Sequence, residues 1–105
     1  MDPLELEFER RLCDSIRESI RLGYNPTRIT EMIDIHGGKS TARLLVESGE
    51  IQDGLRRIVE MGYPELSVES IMLEAQFAPL FTKEVLTAAQ WRLDRAKEGV
   101  HEDSE

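Results

Sequence analysis

The stretch from Tyr63 to Leu86 constrains the fold most, because it combines two helix starts with an apolar connector. Ser67 and Thr82 are each predicted to be an N-cap, since a hydroxyl oxygen there accepts a hydrogen bond from a free amide of the first turn. Between the two caps lies the segment Phe77-Ala78-Pro79-Leu80-Phe81. It is too apolar for a solvated loop, and its proline excludes the interior of a helix. We therefore predict a buried corner between two helices.

Apolar residues flank both predicted caps at the positions of a hydrophobic staple, one just before the cap and one four residues after it. The pairs are Leu66 with Ile71 and Phe81 with Leu86. Together with the two caps, these four residues are the predicted anchors of the fold.

Apolar residues recur at helical spacing along the whole chain and period-two alternation is almost absent, which predicts an all-α fold. Glycines after the apolar runs indicate where helices end. We predict one compact helical domain over residues 1–99, a bundle of about six helices, followed by a disordered acidic tail over residues 100–105. The helices are predicted at residues 3–22, 26–36, 40–48, 51–61, 68–75 and 83–98, with Asn25 as a cap of the second and Gly99 as the last stop.

Each helix has an apolar stripe that is predicted to face the core. Helix by helix, the stripes are Leu4, Phe8, Leu12, Ile16 and Ile20; Ile29, Met32, Ile33 and His36; Thr41, Leu44 and Leu45; Ile51, Leu55, Ile58 and Val59; Val68, Ile71, Met72 and Ala75; and Val85, Leu86, Ala89, Leu93 and Ala96.

An internal echo at an offset of 39 residues relates the end of the first helix to the end of the fourth. The matching positions are Ile16, Arg17, Ile20, Leu22, Gly23, Tyr24 and Ile29 with Leu55, Arg56, Val59, Met61, Gly62, Tyr63 and Val68. One interpretation is a duplicated helical hairpin. The other is that glycine is a common helix stop and that an aromatic residue often fills the space beyond it.

Composition narrows the class of partner. The formal net charge is −8, whereas binding to the nucleic-acid backbone normally requires a concentrated basic surface. A single cysteine, Cys13, excludes an internal disulfide and makes a cysteine-based metal cluster a poor hypothesis. No apolar run approaches the roughly 20 residues of a membrane span, and the acidic N-terminus is unlike a leader peptide. We predict a cytoplasmic protein that does not bind membranes.

Three features resemble sites of chemistry and have simpler structural explanations. Gly37-Gly38-Lys39-Ser40-Thr41 lacks the earlier glycine and the preceding strand of a phosphate loop, so a helix stop followed by a helix start accounts for it, with an anion near Lys39 and Ser40 as the alternative. His36 lies on an apolar stripe, where a partly buried structural role is favoured over a metal ligand. Cys13 is predicted to pack, because nucleophilic catalysis would need a base held beside it. No catalytic, cofactor or metal residue is predicted.

Trp91 is the most informative residue outside the predicted core. The stripe of the sixth helix orients Trp91 away from the core, with Thr87 and Arg95 on the same outer face. Exposed tryptophan beside arginine is typical of binding hot spots, and the guanidinium can lie over the ring. The alternative is that Trp91 packs on the first helix or on the tail of its own chain.

The residues Leu66-Ser67-Val68-Glu69, followed by Phe77 to Thr82 and then by Ala89, Arg92 and Leu93, resemble a pattern in a family of small all-helical bacterial and phage proteins. The family pattern is L-[ST]-V-E followed by F-x-x-L-F-T, and the likeness extends over residues 24–93. Gly38, Ala42, Leu44, Leu45 and Gly54 also match its middle section, whereas Leu55 stands where the family usually has an aromatic residue. The resemblance implies a shared fold and a bacterial or phage origin, and it assigns no activity.

These observations predict a non-enzymatic helical protein–protein interaction module, acidic and homodimeric. An inhibitor or accessory subunit of a bacterial or phage defence or anti-defence system fits its size and charge. The alternative is a nucleic-acid-binding accessory protein that uses an arginine stripe made of Arg10, Arg17, Arg21 and Arg28. An enzyme with an unrecognised site is the third hypothesis.

Overall fold

The computed structural model describes residues 2–48 and 53–103, the side chains of residues 53 and 100–103 excepted. In this part of the chain lie six α-helices, two short 3₁₀ turns and no strand, which confirms the predicted all-α class. The helices are α1 (Pro3–Arg21), α2 (Thr27–His36), α3 (Gly38–Glu47), α4 (Asp53–Glu60), α5 (Val68–Met72) and α6 (Lys83–Asp103); the 3₁₀ turns span Pro64–Leu66 and Ala78–Leu80. The radius of gyration is 13.0 Å, as expected for a single domain of this length.

Both predicted N-caps are confirmed. The Ser67 hydroxyl accepts from the Ser70 amide at 3.1 Å and donates to the Pro64 carbonyl at 2.8 Å, so it ties α5 to the 3₁₀ turn before it. Thr82 Oγ1 accepts from the Val85 amide at 3.2 Å at the start of α6.

The staple residues pack separately. Ile71 is fully buried in one apolar cluster, whereas Leu66 packs against another. Phe81 is half-buried beside Phe8, and Leu86 is half-buried on α6.

The predicted corner is built around Phe8 of α1. The rings of Phe77 and Phe81 each meet the Phe8 ring edge-on, with centroids 5.3 Å apart in both pairs. Phe8 is fully buried and Phe77 is 3% exposed. Pro79 is exposed at the outside of the bend, so the corner is buried on its aromatic side only.

Helices α1 and α4, which the internal sequence echo relates, end in the same way. In α1 the Gly23 amide donates to the Ile20 carbonyl and the Tyr24 amide to the Ser19 carbonyl. In α4 the Gly62 and Tyr63 amides make the equivalent bonds to Val59 and Ile58. Both ends are Schellman motifs, in which the glycine has a positive φ, 105° at Gly23 and 91° at Gly62.

The core consists of two clusters of buried residues. The first joins α1, α2, α3, α5 and the start of α6 around Phe8, Ile71 and Met72. The second joins α4 to the later part of α6, and consists of Leu55, Ile58, Val59, Leu93 and Ala96. The α6 stripe therefore holds the clusters together, since Val85 and Ala89 belong to the first cluster.

Several predicted helix ends are wrong. Pro26, and not Asn25, occupies the N-cap position of α2, and its side chain makes no capping bond. Helix α3 begins at Gly38, two residues before the predicted start. Helix α5 ends at Met72, and α6 continues through Gly99 to Asp103, where a disordered tail was predicted.

Four residues predicted to face the core do not. His36 and Ala75 are exposed, and Leu44 and Ile20 are 41% and 49% exposed. Ala42 and Val46 of α3 are buried instead of Leu44, because the buried stripe of α3 is Gly38, Thr41, Ala42, Leu45 and Val46, at helical spacings of three and four residues that leave Leu44 outside. Ile51 lies outside the described residues.

Candidate protein-interaction surface

The outer face of α6 carries Thr87, Trp91 and Arg95 at successive turns, all three exposed. Trp91 keeps 53% of its surface accessible, which makes it one of five large apolar residues that are exposed among the described residues. Trp91 therefore lies outside the two core clusters, and about half of its surface is accessible.

The Arg95 guanidinium lies 5.9 Å from the centre of the Trp91 ring, and it also pairs with Glu98 at 3.5 Å. A cation over an indole face at an exposed site contributes ~0.5–1 kcal/mol. The predicted pairing of Arg95 with Trp91 is therefore present. It limits the rotamers of both side chains and presents a flat, partly ordered surface.

A buried ion pair lies on the opposite side of α6. Arg92 is 1% exposed, and its Nε donates to Glu69 Oε2 of α5 at 3.1 Å. Both terminal nitrogens of Arg92 are buried without a hydrogen-bond partner. The sequence analysis missed this pair, although a signal existed: Arg92 lies within the apolar stripe of α6, and Glu69 lies between buried residues of α5.

The predicted anion position at the start of α3 is filled by the protein itself. Glu9 Oε1 of α1 accepts from the Gly38 amide at 2.8 Å, and Lys39 Nζ pairs with Glu5 at 3.2 Å. A carboxylate at a helix N-terminus is stabilised by the free amides there. An added Cβ at Gly38 would stand 3.0 Å from Glu9 Cα, so the glycine is needed for this close approach.

His36 and Cys13 do not form a nucleophile–base pair in the described structure. His36 is exposed beside the groove that Glu5, Glu9 and Lys39 line. Burial raises the pKa of the Cys13 thiol above its ordinary value, and the Glu9 carboxylate raises it further. A raised pKa opposes thiolate formation and so opposes nucleophilic use of the sulfur.

Other kinds of site are not evident in the described part of the chain. It contains no group of three or more histidine, cysteine or acidic side chains placed to hold a metal ion. None of its helices combines the length and apolar composition needed to cross a membrane.

The arginine stripe proposed for nucleic acid is largely neutralised on α1. Arg17 pairs with Asp14 and Arg21 pairs with Glu18, each three residues earlier on the same helix. Such pairs place negative charge where a phosphate would have to approach.

Comparison of the chain with protein-family models, with curated proteins and with solved structures gives no match in any of the three. The resemblance to small bacterial and phage proteins therefore stays a prediction.

Proposed function

We propose that the chain is a non-enzymatic protein–protein interaction module, and that the outer face of α6 centred on Trp91 is its contact surface. The observation that carries this proposal is the 53% exposure of Trp91 beside the Arg95 guanidinium. Tryptophan and arginine dominate binding hot spots because they bury a large area and pair with many partners.

The available area sets the expected size of the effect. A tryptophan side chain buries ~200 Å², so roughly half of it, ~100 Å², remains to be covered by a partner. At ~25 cal/mol per Å² this corresponds to ~2.5 kcal/mol, or on the order of 70-fold in affinity.

Several polar side chains have structural roles in the fold, which supports an interaction role over a catalytic one. The Ser67 and Thr82 hydroxyls cap helices, and Glu9 caps α3.

The first partner to test is a second copy of the chain. Light scattering over a wide concentration range measures self-association of the wild type, of Trp91→Ala and of Ile35→Ala. Ile35 is the matched control, because it is a large apolar residue that is 75% exposed on α2. A symmetric dimer contains two copies of Trp91, so Trp91→Ala removes ~5 kcal/mol of association free energy. A dimer that weakens by on the order of 5,000-fold in Trp91→Ala, and not in Ile35→Ala, supports the proposal with a homodimer.

If the wild type is monomeric, the second assay is affinity capture of partner proteins from a bacterial lysate. The proposal then expects proteins that are recovered by wild type and Ile35→Ala and lost with Trp91→Ala. If the wild type, Trp91→Ala and Ile35→Ala behave alike in both assays, the outer face of α6 is not the contact surface.

A further inference from the structure

A narrow apolar crevice lies between the two core clusters. One wall consists of residues in or against the first cluster, among them Leu12, Ile29 and Leu45, and the other includes Leu55 and Ile58 of the second cluster. The volume of the crevice is ≈ 40 Å³. At ~10–15 Å³ for each water position, this space corresponds to about three water molecules, the bulk of one aliphatic side chain.

Tyr24 and Gly54 approach each other closely, since a Cβ added at Gly54 would stand 2.7 Å from the Tyr24 hydroxyl oxygen. These two residues line the crevice and also two surface clefts of ≈ 240 and ≈ 380 Å³. The apolar crevice therefore adjoins two wider surface clefts, an arrangement that suits an extended segment with one inserted side chain.

Positive charge that has no ion-pair partner among the described residues lies beside Tyr24 and Gly54. Arg56 and Arg57 line the larger cleft with Glu60, and both are exposed. Within the described residues neither arginine forms an ion pair, whereas six other arginines do. The described charged side chains of this cleft, Arg56, Arg57 and Glu60, sum to +1 in a chain of net charge −8.

We propose that this site binds an acidic segment of a partner protein through one aliphatic anchor residue. The anchor enters the crevice at Tyr24, and flanking carboxylates pair with Arg56 and Arg57, whose planar guanidinium groups match carboxylate geometry. The surface shares no residue with the α6 face, so this inference stands independently of the function proposed above.

The test measures binding of a fluorescent peptide, a single leucine between aspartates, by fluorescence anisotropy at about 0.15 M salt. At this salt concentration the screening length is ~8 Å, so ion pairs within the site are preserved and repulsion from distant acidic residues is weakened. Saturable binding to the wild type is expected. Replacing the peptide leucine by serine is expected to weaken binding about tenfold, because the crevice loses its apolar occupant.

The protein variants separate local from overall charge. Arg56→Glu with Arg57→Glu is expected to weaken binding by tenfold or more, since two charge-assisted bonds become repulsions. Arg10→Glu with Arg17→Glu is the matched control: both residues are exposed on α1, the change in net charge is identical, and affinity is expected to stay within about twofold.

Nuclear magnetic resonance then locates the peptide. Shifts of the Tyr24, Gly54 and Leu55 amides are expected, with the Trp91 indole unaffected. The proposal is overturned by absence of saturable binding, by equal loss in the two double variants, or by shifts confined to α6.

Discussion

Replacing Glu69 with leucine is expected to lower the free energy of unfolding by about 3–5 kcal/mol, because it leaves a buried guanidinium without a counter-ion. The magnitude follows from the burial of the pair: Arg92 is 1% exposed, the Glu69 side chain is 5% exposed, and a single 3.1 Å bond joins them. Arginine cannot lose its proton in a protein, so the charge persists in the variant.

Replacing Arg92 with methionine is expected to cost less, about 1–3 kcal/mol. The substitution removes the two buried terminal nitrogens that have no partner, and each orphaned donor costs ~1–3 kcal/mol in the folded state. The double variant, with apolar side chains at both positions, is expected to be within ~1 kcal/mol of wild type or more stable.

Urea denaturation followed by far-ultraviolet circular dichroism measures all four proteins. The total stability of such a domain is ~5–15 kcal/mol, so Glu69→Leu alone can be unfolded without urea. In that case the double variant and Arg92→Met still carry the test. A double variant less stable than Arg92→Met, or equal losses in the two single variants, would refute the reasoning.

The remaining predictions use the same assay unless stated. Gly38→Ala is expected to lower the free energy of unfolding by ~1–3 kcal/mol, because the new Cβ would crowd the α1 backbone at Glu9. Gly99→Ala, with nothing within 4 Å of its new Cβ, is expected to raise it by ~0.5–1 kcal/mol. A change of the same sign in both variants would contradict this reasoning. Ser67→Ala should cost ~1–2 kcal/mol, and an unchanged urea midpoint would contradict the capping role. Because the pKa of Cys13 is raised in the folded state, the thiol's contribution to the free energy of unfolding, measured against Cys13→Ala, is complete below the ordinary pKa of 9.0. That contribution is lost as pH rises through the higher pKa of the folded state. A contribution that grows above pH 9.0 would contradict the sign.

The parts of the fold that follow from local sequence were predictable. The Ser67 and Thr82 caps and the Gly23 and Gly62 stops each depend on bonds within a few residues. The helical class follows from apolar spacing alone. The exposure of Trp91 followed from the same spacing, since it lies opposite the buried stripe of α6.

The parts that depend on contacts between distant segments were not predictable. The start of α3 moved to Gly38 because Glu9, 29 residues earlier, supplies the capping oxygen. The burial of Arg92 required a carboxylate 23 residues away on α5. The helical spacing places Arg92 and Glu69 on the apolar faces of their helices, but it does not show that those two faces meet.

Packing also gives the internal echo a physical meaning. The Schellman motifs after α1 and α4 each turn the chain so that a tyrosine, Tyr24 or Tyr63, packs against the second core cluster. That cluster lies between the two turns, and an aromatic side chain from each fills it. After the tyrosines the copies diverge, since α2 has 10 residues and α5 has 5. Because both tyrosines pack against the same cluster, a shared packing role accounts for glycine followed by tyrosine at both places. A duplicated hairpin would require, in addition, that the helices after the turns pack alike, and their unequal lengths weigh against it.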